Sequence, residues 1–225
     1  MADTATSATT TSPTTTAEAV LAGAQKMLAD GLVEGTSGNI SGRLPDGLVC
    51  LSPSSVPYDT MTLDDLVVVD LNGTVVHGER SPTTEKDLHL ATLRRYPELG
   101  SVIHTHAVYA TMFALAHEAI PAVIEEVVVY VGGDVPCCDY QGTGSAALGE
   151  EVAGRLAERG AALLANHGLV TCGPTPEKAL HNAALVERTA KIVWGARAMG
   201  AKLHPLPEQV NTDMAGVYRF MRDNP

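Results

Sequence analysis

The sequence predicts an α/β fold, a single-domain sandwich in which helices flank a central, mainly antiparallel sheet. Apolar residues at helical spacing alternate along the chain with short β-branched segments. Gly, Ser, Asn and Pro punctuate the first of those segments, as is typical of strands joined by turns. The chain has 225 residues, which is long enough for one sizeable hydrophobic core but rather short for two independent ones. We therefore expect one domain over residues 17–225, after a disordered tail of small polar residues over 1–16.

The first predicted elements are a helix and a group of strands. Residues 17–30 carry apolar side chains at helical spacing, and Gly31 stands where a C-terminal cap glycine would. The strands that follow are predicted in the segments NISGRL, LVCLS and LVVVD. Hydroxyl residues at 81–84 can cap the next helix, EKDLHLATLRRY, which places Glu85 in its first turn.

The second half of the chain continues the alternation. Its predicted strands are SVIHTHAV, VVVYVG and AALLANHG. Its predicted helices are YATMFALAHE, LGEEVAGRLAERG and PEKALHNAALVERTAKIVWGARAMG. The sequence shows no internal repeat, so a single sandwich accounts for all of these elements.

Charge and composition exclude several classes of function. The net charge is -11, and no basic run exceeds Arg94 and Arg95, which argues against a nucleic-acid surface. Apolar stretches such as 66–69 and 127–131 are far shorter than the roughly 20 residues that span a bilayer. Residues 1–16 have neither the positive charge nor the apolar segment of a secretory signal. The four cysteines have no CxxC spacing, so we expect free thiols in a cytoplasmic protein.

Three histidines and one carboxylate form a candidate metal site. His104 and His106 are two residues apart in a predicted strand, so both imidazoles should point to the same face of the sheet. His167 lies where another apolar strand ends. Three imidazoles with an open fourth position are typical of catalytic zinc, and Glu85 could fill that position. A lone histidine is more often structural, and this is our interpretation of the others, namely His77, His89, His117, His181 and His204.

Three segments rich in small hydroxyl residues and glycine are candidates for binding phosphate. They cover residues 35–39, 52–55 and 81–84, and the third lies at a predicted helix start. Backbone N–H and hydroxyl groups can enclose a phosphate without a fixed positive charge. Taken singly, each segment is more often a plain turn or a helix cap.

Taken in order, several motifs resemble the class II aldolase family over about residues 17–197. These motifs are GTSGNISGR, LSPSSVPYDTM, SPTTEKDLHLA, VIHTHAVYATM, LLANHGLVTCG and KALHNAALVE. The resemblance implies a class II aldolase-like fold, a homotetramer with active sites between subunits, and a mobile C-terminal tail. It also implies a lyase that cleaves a ketose 1-phosphate, such as L-fuculose 1-phosphate or 5-deoxyribulose 1-phosphate, to dihydroxyacetone phosphate and an aldehyde.

The resemblance also assigns roles to individual residues. It implies Zn²⁺, with another divalent metal still open, on His104, His106 and His167, and Glu85 as resting ligand and catalytic acid/base. The implied phosphate contacts are Gly38, Asn39, Ser54, Ser55, Thr83 and Thr84. The metal would act as a Lewis acid on the ketose oxygens.

The sequence departs from the family pattern at a few positions. The family has Gly where this chain has Ser55, and two serines at Thr83 and Thr84. A catalytic tyrosine that the family supplies from a neighbouring subunit aligns near Glu126, where no tyrosine stands, and Tyr130 is close. The second proton donor, and with it the sugar stereochemistry, stays open.

Other functions remain open on the sequence. One is the dehydration of 5-methylthioribulose 1-phosphate by a related dehydratase with a comparable metal site. A second is the sugar-phosphate 4-epimerase branch, which carries Asp where Glu85 stands, so Glu85 argues against it. A metallohydrolase is a further alternative, because zinc on three histidines can activate water. A non-enzymatic, adducin-like binding module would share the fold but lack the metal histidines.

Overall fold

The computed structural model describes residues 13–225, and its core is one sheet flanked by helices on both faces. The described residues form eight strands in the order β4-β3-β2-β1-β5-β8-β7-β6. Only the pairing of β6 with β7 is parallel, as far as the described residues show. The strands are β1 (Asn39–Arg43), β2 (Val49–Leu51), β3 (Val67–Val69), β4 (Val75–His77), β5 (Ser101–Thr105), β6 (Cys137–Cys138), β7 (Ala161–Leu164) and β8 (Gly168–Gly173). The predicted α/β fold with a mainly antiparallel sheet is confirmed.

The helices cover both faces of this sheet. They are α1 (Pro13–Ala29), α2 (Lys86–Arg95), α3 (Val108–Ala116), α4 (Glu125–Val131), α5 (Ala146–Arg155), α6 (Pro176–Ala198) and α7 (Glu208–Asp223). Successive residues of a strand face opposite sides, so the central strands supply two cores. Ile103 packs in the core shared with α1, α3 and α6, whereas its neighbour Val102 packs in the core shared with α2 and α5.

Two of the sequence predictions are corrected by the structure. The segment VVVYVG, predicted as a strand, lies mostly in α4, because Val127, Val128 and Val131 recur at helical spacing and are fully buried on one side. Gly132 ends this helix in the left-handed conformation. Helix α1 begins at Pro13, so residues 13–16 belong to it and not to the predicted tail. The rest of the predicted tail, 1–12, lies outside the described residues.

The structure also adds elements that the sequence did not indicate, namely β4, β6, β8 and α7. Strand β8 fills the centre of the sheet between β5 and β7. Helix α7 is held by Arg222, whose Nε donates to Glu98 Oε1 (2.9 Å) and whose Nη1 donates to the Leu156 carbonyl (2.7 Å). The C-terminal segment, for which the resemblance implied a mobile tail, is therefore a docked helix in this structure.

Across residues 13–225 the four cysteines are unpaired, as expected. Within the same part of the chain, none of the helices has the length and apolar character needed to cross a bilayer.

Candidate metal centre and phosphate loops

The three candidate metal histidines come from two neighbouring strands and the turns at their ends. His104 is in β5, which pairs with β8, and His167 is in the turn that joins β7 to β8. His106 follows Thr105, the last residue of β5, so its predicted position inside the strand is wrong by one residue. Because β5 and β8 are antiparallel neighbours in the centre of the sheet, the end of β5 and the start of β8 lie side by side and bring the three histidines together.

The three imidazoles form a compact cluster. The ring centroid of His104 lies 4.9 Å from that of His106 and 4.6 Å from that of His167, and the remaining pair is 5.1 Å apart. One nitrogen of each ring lies within 4.8 Å of the other two. Nε2 of His106 is 3.1 Å from Nε2 of His104. The sequence prediction that these three histidines meet agrees with this geometry.

Glu85 faces this cluster from the start of α2. It stands at the N-cap, one residue before the helix, and not in the first turn as predicted. Its carboxylate is buried, with Oε2 at 3.3 Å from His104 Nε2 and Oε1 at 3.7 Å from His167 Nε2. Oε1 has no hydrogen-bond partner among the described residues. A buried carboxylate oxygen without a donor, beside three imidazole nitrogens, is a donor set that suits a divalent cation.

The protonation of the histidines also suits a metal ligand set. Burial, reinforced by His167 and His106, holds the pKa of His104 well below its usual value. Burial and His167 lower the pKa of His106 as well, although the charge of Glu85 acts to raise it. Nδ1 of His104 donates to the Leu169 carbonyl at 3.0 Å, because a carbonyl can only accept. Nε2 therefore keeps its lone pair toward the cluster.

A buried polar network lies behind Glu85 and was missed by the sequence analysis. Asn39 Nδ2 donates to Glu85 Oε2 at 2.9 Å. Asn39 Oδ1 lies 2.6 Å from Nε2 of His89, and Nδ1 of His89 lies 2.8 Å from the Ser41 hydroxyl. The sequence alone predicts a structural role for His89. The spacing to Glu85, four residues or about one helical turn, is a signal that could have indicated it.

The three phosphate candidate segments adjoin one another in the structure. Ser52 N donates to the Ile40 carbonyl (3.0 Å), which ties the second segment, residues 52–55, to strand β1 directly after the first segment, residues 35–39. Thr83 N donates to the Ser52 carbonyl (3.2 Å) and Ser54 N to the Ser81 carbonyl (2.9 Å), which ties the second segment to the third. Glu85 comes directly after the third segment, so these loops lie next to the candidate metal centre.

The phosphate candidates differ in how accessible their side chains are. Asn39 and Thr83 are buried, and the Thr83 hydroxyl accepts from Glu85 N at 3.3 Å. Gly38 has φ +74° and accepts from the Tyr58 hydroxyl at 2.6 Å. Ser54 is half-buried, and its hydroxyl lies 3.4 Å from that of Ser55. Two further candidates, Ser55 and Thr84, are exposed.

The residues near the expected tyrosine position lie on α4 and α7. Glu125 and Glu126 form the exposed first turn of α4. Tyr130 is 39% exposed and packs against the ring of His181. Tyr218 in α7 is buried, and its hydroxyl accepts from Arg222 Nη1 at 3.2 Å.

Comparison with known proteins gives consistent matches. A family profile for the Class II Aldolase and Adducin N-terminal domain matches residues 18–194. L-ribulose-5-phosphate 4-epimerase UlaF of Salmonella paratyphi C is 38% identical over 190 residues, which cover 79% of this chain and 83% of that protein. A solved L-fuculose 1-phosphate aldolase superposes with a TM-score of 0.86 at 30% identity, covering 91% of this chain and 96% of that one. L-fuculose-1-phosphate aldolase of Thermus thermophilus gives a TM-score of 0.71 at 26% identity, covering 83% of this chain and 97% of that one.

Proposed function

The chain belongs to the class II aldolase and adducin N-terminal domain family and is an enzyme of the aldolase/epimerase superfamily, and we propose that it is a zinc-dependent aldolase. The proposed reaction is the reversible cleavage of a ketose 1-phosphate, such as L-fuculose 1-phosphate or 5-deoxyribulose 1-phosphate, to dihydroxyacetone phosphate and an aldehyde. We also propose that the enzyme is a cytoplasmic homotetramer with active sites between subunits.

One observation carries the proposal, and it is the position of the Glu85 carboxylate. Its Oε1 atom is buried, has no hydrogen-bond donor among the described residues and lies 3.7 Å from His167 Nε2. His104, His106 and His167 would hold the cation, with Glu85 completing the set in the resting enzyme. A bound divalent cation would supply Lewis-acid polarisation of the ketose oxygens.

The protein's own residues would handle the protons. Cleavage leaves the electron pair of the broken carbon–carbon bond on the three-carbon fragment, and that carbon then takes up a proton. Glu85 is the proposed donor of that proton. Once the substrate displaces its carboxylate from the cation site, Oε1 would take a proton from water and pass it to that carbon. The hydroxyl proton lost as the aldehyde forms goes to a second group, which the resemblance places in a neighbouring subunit near Glu126.

The adjoining loops would hold the substrate phosphate. Backbone N–H groups and the hydroxyls of Ser54, Ser55 and Thr84 are the proposed donors, with Gly38, Asn39 and Thr83 shaping the loops around them. The Thr83 hydroxyl bonds to Glu85 N, so phosphate contacts and the acid/base residue share one short segment. Holding the phosphate there would fix the position of the sugar carbons relative to Glu85.

A sugar-phosphate 4-epimerase is the second candidate, favoured by the 38% identity to UlaF. An epimerase would use the same metal centre but rejoin the fragments, so its substrate keeps all its carbons. The presence of Glu85, where the resemblance puts Asp in the epimerase branch, supports the aldolase.

A dehydratase acting on methylthioribulose 1-phosphate is a third candidate. The adducin-like binding module is disfavoured, because the three histidines and Glu85 cluster in this chain.

The experiment is a coupled assay of dihydroxyacetone phosphate release, after chelation and after return of zinc. The substrates are L-fuculose 1-phosphate, 5-deoxyribulose 1-phosphate, 5-methylthioribulose 1-phosphate and L-ribulose 5-phosphate. Glu85→Gln should lower kcat by about 10²- to 10⁴-fold, whereas the exposed control Glu79→Gln should leave it unchanged.

The products separate the candidates. Zinc-dependent release of dihydroxyacetone phosphate supports the aldolase. Conversion of L-ribulose 5-phosphate to its epimer without fragment release would replace it with the epimerase. Consumption of methylthioribulose phosphate to a dehydrated product would replace it with the dehydratase, and turnover of none of the four would overturn all three.

A further inference from the structure

His89 is fully buried near Glu85 but takes no direct part in the proposed chemistry. His89 lies on α2, one turn after Glu85, and its side chain has no exposed surface. Both ring nitrogens have polar partners within 2.8 Å, Asn39 Oδ1 and the Ser41 hydroxyl. A buried imidazole with two such partners is held in one orientation, because losing either bond would leave a polar atom unpaired.

The hydrogen bonds of this network have a defined direction. Asn39 Nδ2 donates to Glu85, so the amide oxygen of Asn39 is the atom that faces His89, and it can only accept. His89 Nε2 therefore carries the proton, and Nδ1 of the neutral ring accepts from the Ser41 hydroxyl. Burial lowers the pKa of His89 to about 3, which keeps the ring neutral and this pattern intact. The bonds thus run in one sense, from Ser41 through His89 and Asn39 to Glu85.

We propose that His89 is the positioning residue of the candidate metal centre, acting through Asn39 to hold the Glu85 carboxylate against the three histidines. The inference rests on the proposed function, in that Glu85 is taken as the metal-linked acid/base. The bond from Asn39 occupies Oε2, so Oε1 is the oxygen left for the cation and the proton. Without a fixed donor on Oε2, the carboxylate could rotate and exchange the two oxygens.

The backbone around this network is arranged to hold it rigid. Asn39 and Ser41 are both in β1, and Asn39 pairs directly with His104 of β5. The network therefore joins β1, the strand next to the metal ligand His104, with helix α2, which begins one residue after Glu85. Side chains in rigid elements that orient a ligand typically change metal affinity or activity by about 10- to 100-fold when removed.

Two substitutions of His89 separate positioning from simple packing. In His89→Gln the terminal amide can take the place of Nε2 and still donate to Asn39. In His89→Asn the shorter amide can reach Ser41 but not Asn39. Thr92→Val is the matched control, since Thr92 is equally buried on α2 but bonds only to the carbonyl of Leu88.

The measurements are Zn²⁺ affinity by competition with a chelating dye, and the visible absorption spectrum of the Co²⁺-loaded protein. His89→Asn should weaken Zn²⁺ binding by about 10- to 100-fold and alter the Co²⁺ spectrum. His89→Gln should stay within about threefold of the wild type, because the Asn39 bond is kept. A thermal melt of each metal-free variant reports folding separately.

A further variant keeps the test decisive if His89→Asn does not fold. Ser41→Ala keeps the imidazole and its bond to Asn39 but removes the donor to Nδ1, so only one of the two hydrogen bonds that hold the ring in place remains. It should also weaken Zn²⁺ binding. If His89→Asn or Ser41→Ala binds Zn²⁺ and gives a Co²⁺ spectrum like the wild type, the inference is overturned while the aldolase proposal stands. If the wild type itself binds neither metal, the proposed function fails first.

Discussion

Glu187 Oε2 accepts a hydrogen bond of 2.8 Å from the backbone N–H of Ala110, which ties the middle of α6 to the first turn of α3. Oε1 of the same carboxylate accepts from Tyr109 N at 3.0 Å. Helix starts leave their first N–H groups without intrahelical partners, so Glu187 serves as a cap supplied from another helix. His106 lies just before this turn, and the cap therefore supports one edge of the candidate metal centre.

Glu187→Ala should lower the free energy of unfolding by about 1–2 kcal/mol, because two N–H groups lose their acceptor. The single tryptophan, Trp194, packs on the Tyr109 ring at 5.4 Å and can report urea unfolding by fluorescence. Glu150→Ala, on the exposed side of α5, is the control and should change little. Equal losses for the two variants would contradict a capping role.

Metal binding should stabilise the wild type but not a ligand variant. At a Zn²⁺ concentration of about 100 times Kd, a single site adds about 2.7 kcal/mol to the free energy of unfolding. Chelation should therefore lower the melting temperature of the wild type and of the control His77→Ala, whose residue is exposed in β4. His106→Ala should show little response to either zinc or chelator. A full zinc response in His106→Ala would remove that histidine from the ligand set.

Ser55→Gly should stabilise the protein. Ser55 has φ +60°, a left-handed conformation that costs a residue with a side chain about 1–2 kcal/mol. Glycine avoids that cost but loses about 0.5–1 kcal/mol more backbone entropy on folding, so a net gain of about 0.5–1 kcal/mol is expected. The position matches the glycine that the family resemblance implies. Thermal melts would measure the gain. Ser54→Gly is the control, since Ser54 does not have a positive φ and a glycine there should only lose stability. An equal loss of stability in Ser55→Gly would contradict this account of the loop.

The buried His89 should make stability depend on pH. Its pKa falls from 6.5 to about 3 on folding, so below pH 6.5 the unfolded chain binds a proton that the folded one does not. The free energy of unfolding should then fall with decreasing pH by about 1.4 kcal/mol per unit for this one proton. We expect the free energy of unfolding of metal-free His89→Gln to depend less steeply on pH than that of the metal-free wild type between about pH 5.5 and 4, because the variant lacks the contribution of His89. Parallel curves for the two proteins would show that His89 titrates normally.

Arg222→Ala should loosen α7. The Arg222 side chain is 7% exposed, and its guanidinium bonds to Glu98, to the Leu156 carbonyl and to the Tyr218 hydroxyl. Its removal leaves buried acceptors unpaired, at a cost of about 1–3 kcal/mol. Faster hydrogen exchange confined to α7 is the expected result, with the exposed Arg219→Ala as the matched control. Unchanged exchange in α7 would mean that apolar packing alone holds the helix.

The sequence determined the family, the α/β fold and the metal ligand candidates. Family motifs are short and local, and helix and strand periods are local as well, so they can be recognised without knowing which segments meet. The same local reasoning failed at α4. Its valines favour a strand by residue type, but the buried ones among them recur at helical spacing. It also failed to indicate α7 and the central strand β8.

The residues that surround Glu85 could be identified only from the three-dimensional packing of the chain. Asn39 and Glu85 are 46 positions apart, and Asn39 and His89 are 50 apart, so no local pattern could indicate their contacts. Strand register sets those contacts, because the pairing of β1 with β5 brings Asn39 opposite His104. A slip of one residue would turn the Asn39 side chain to the other face of the sheet. The types of the candidate ligands can therefore be recognised from the sequence, whereas the orientation of the Glu85 carboxylate depends on the packing of β1, β5 and α2.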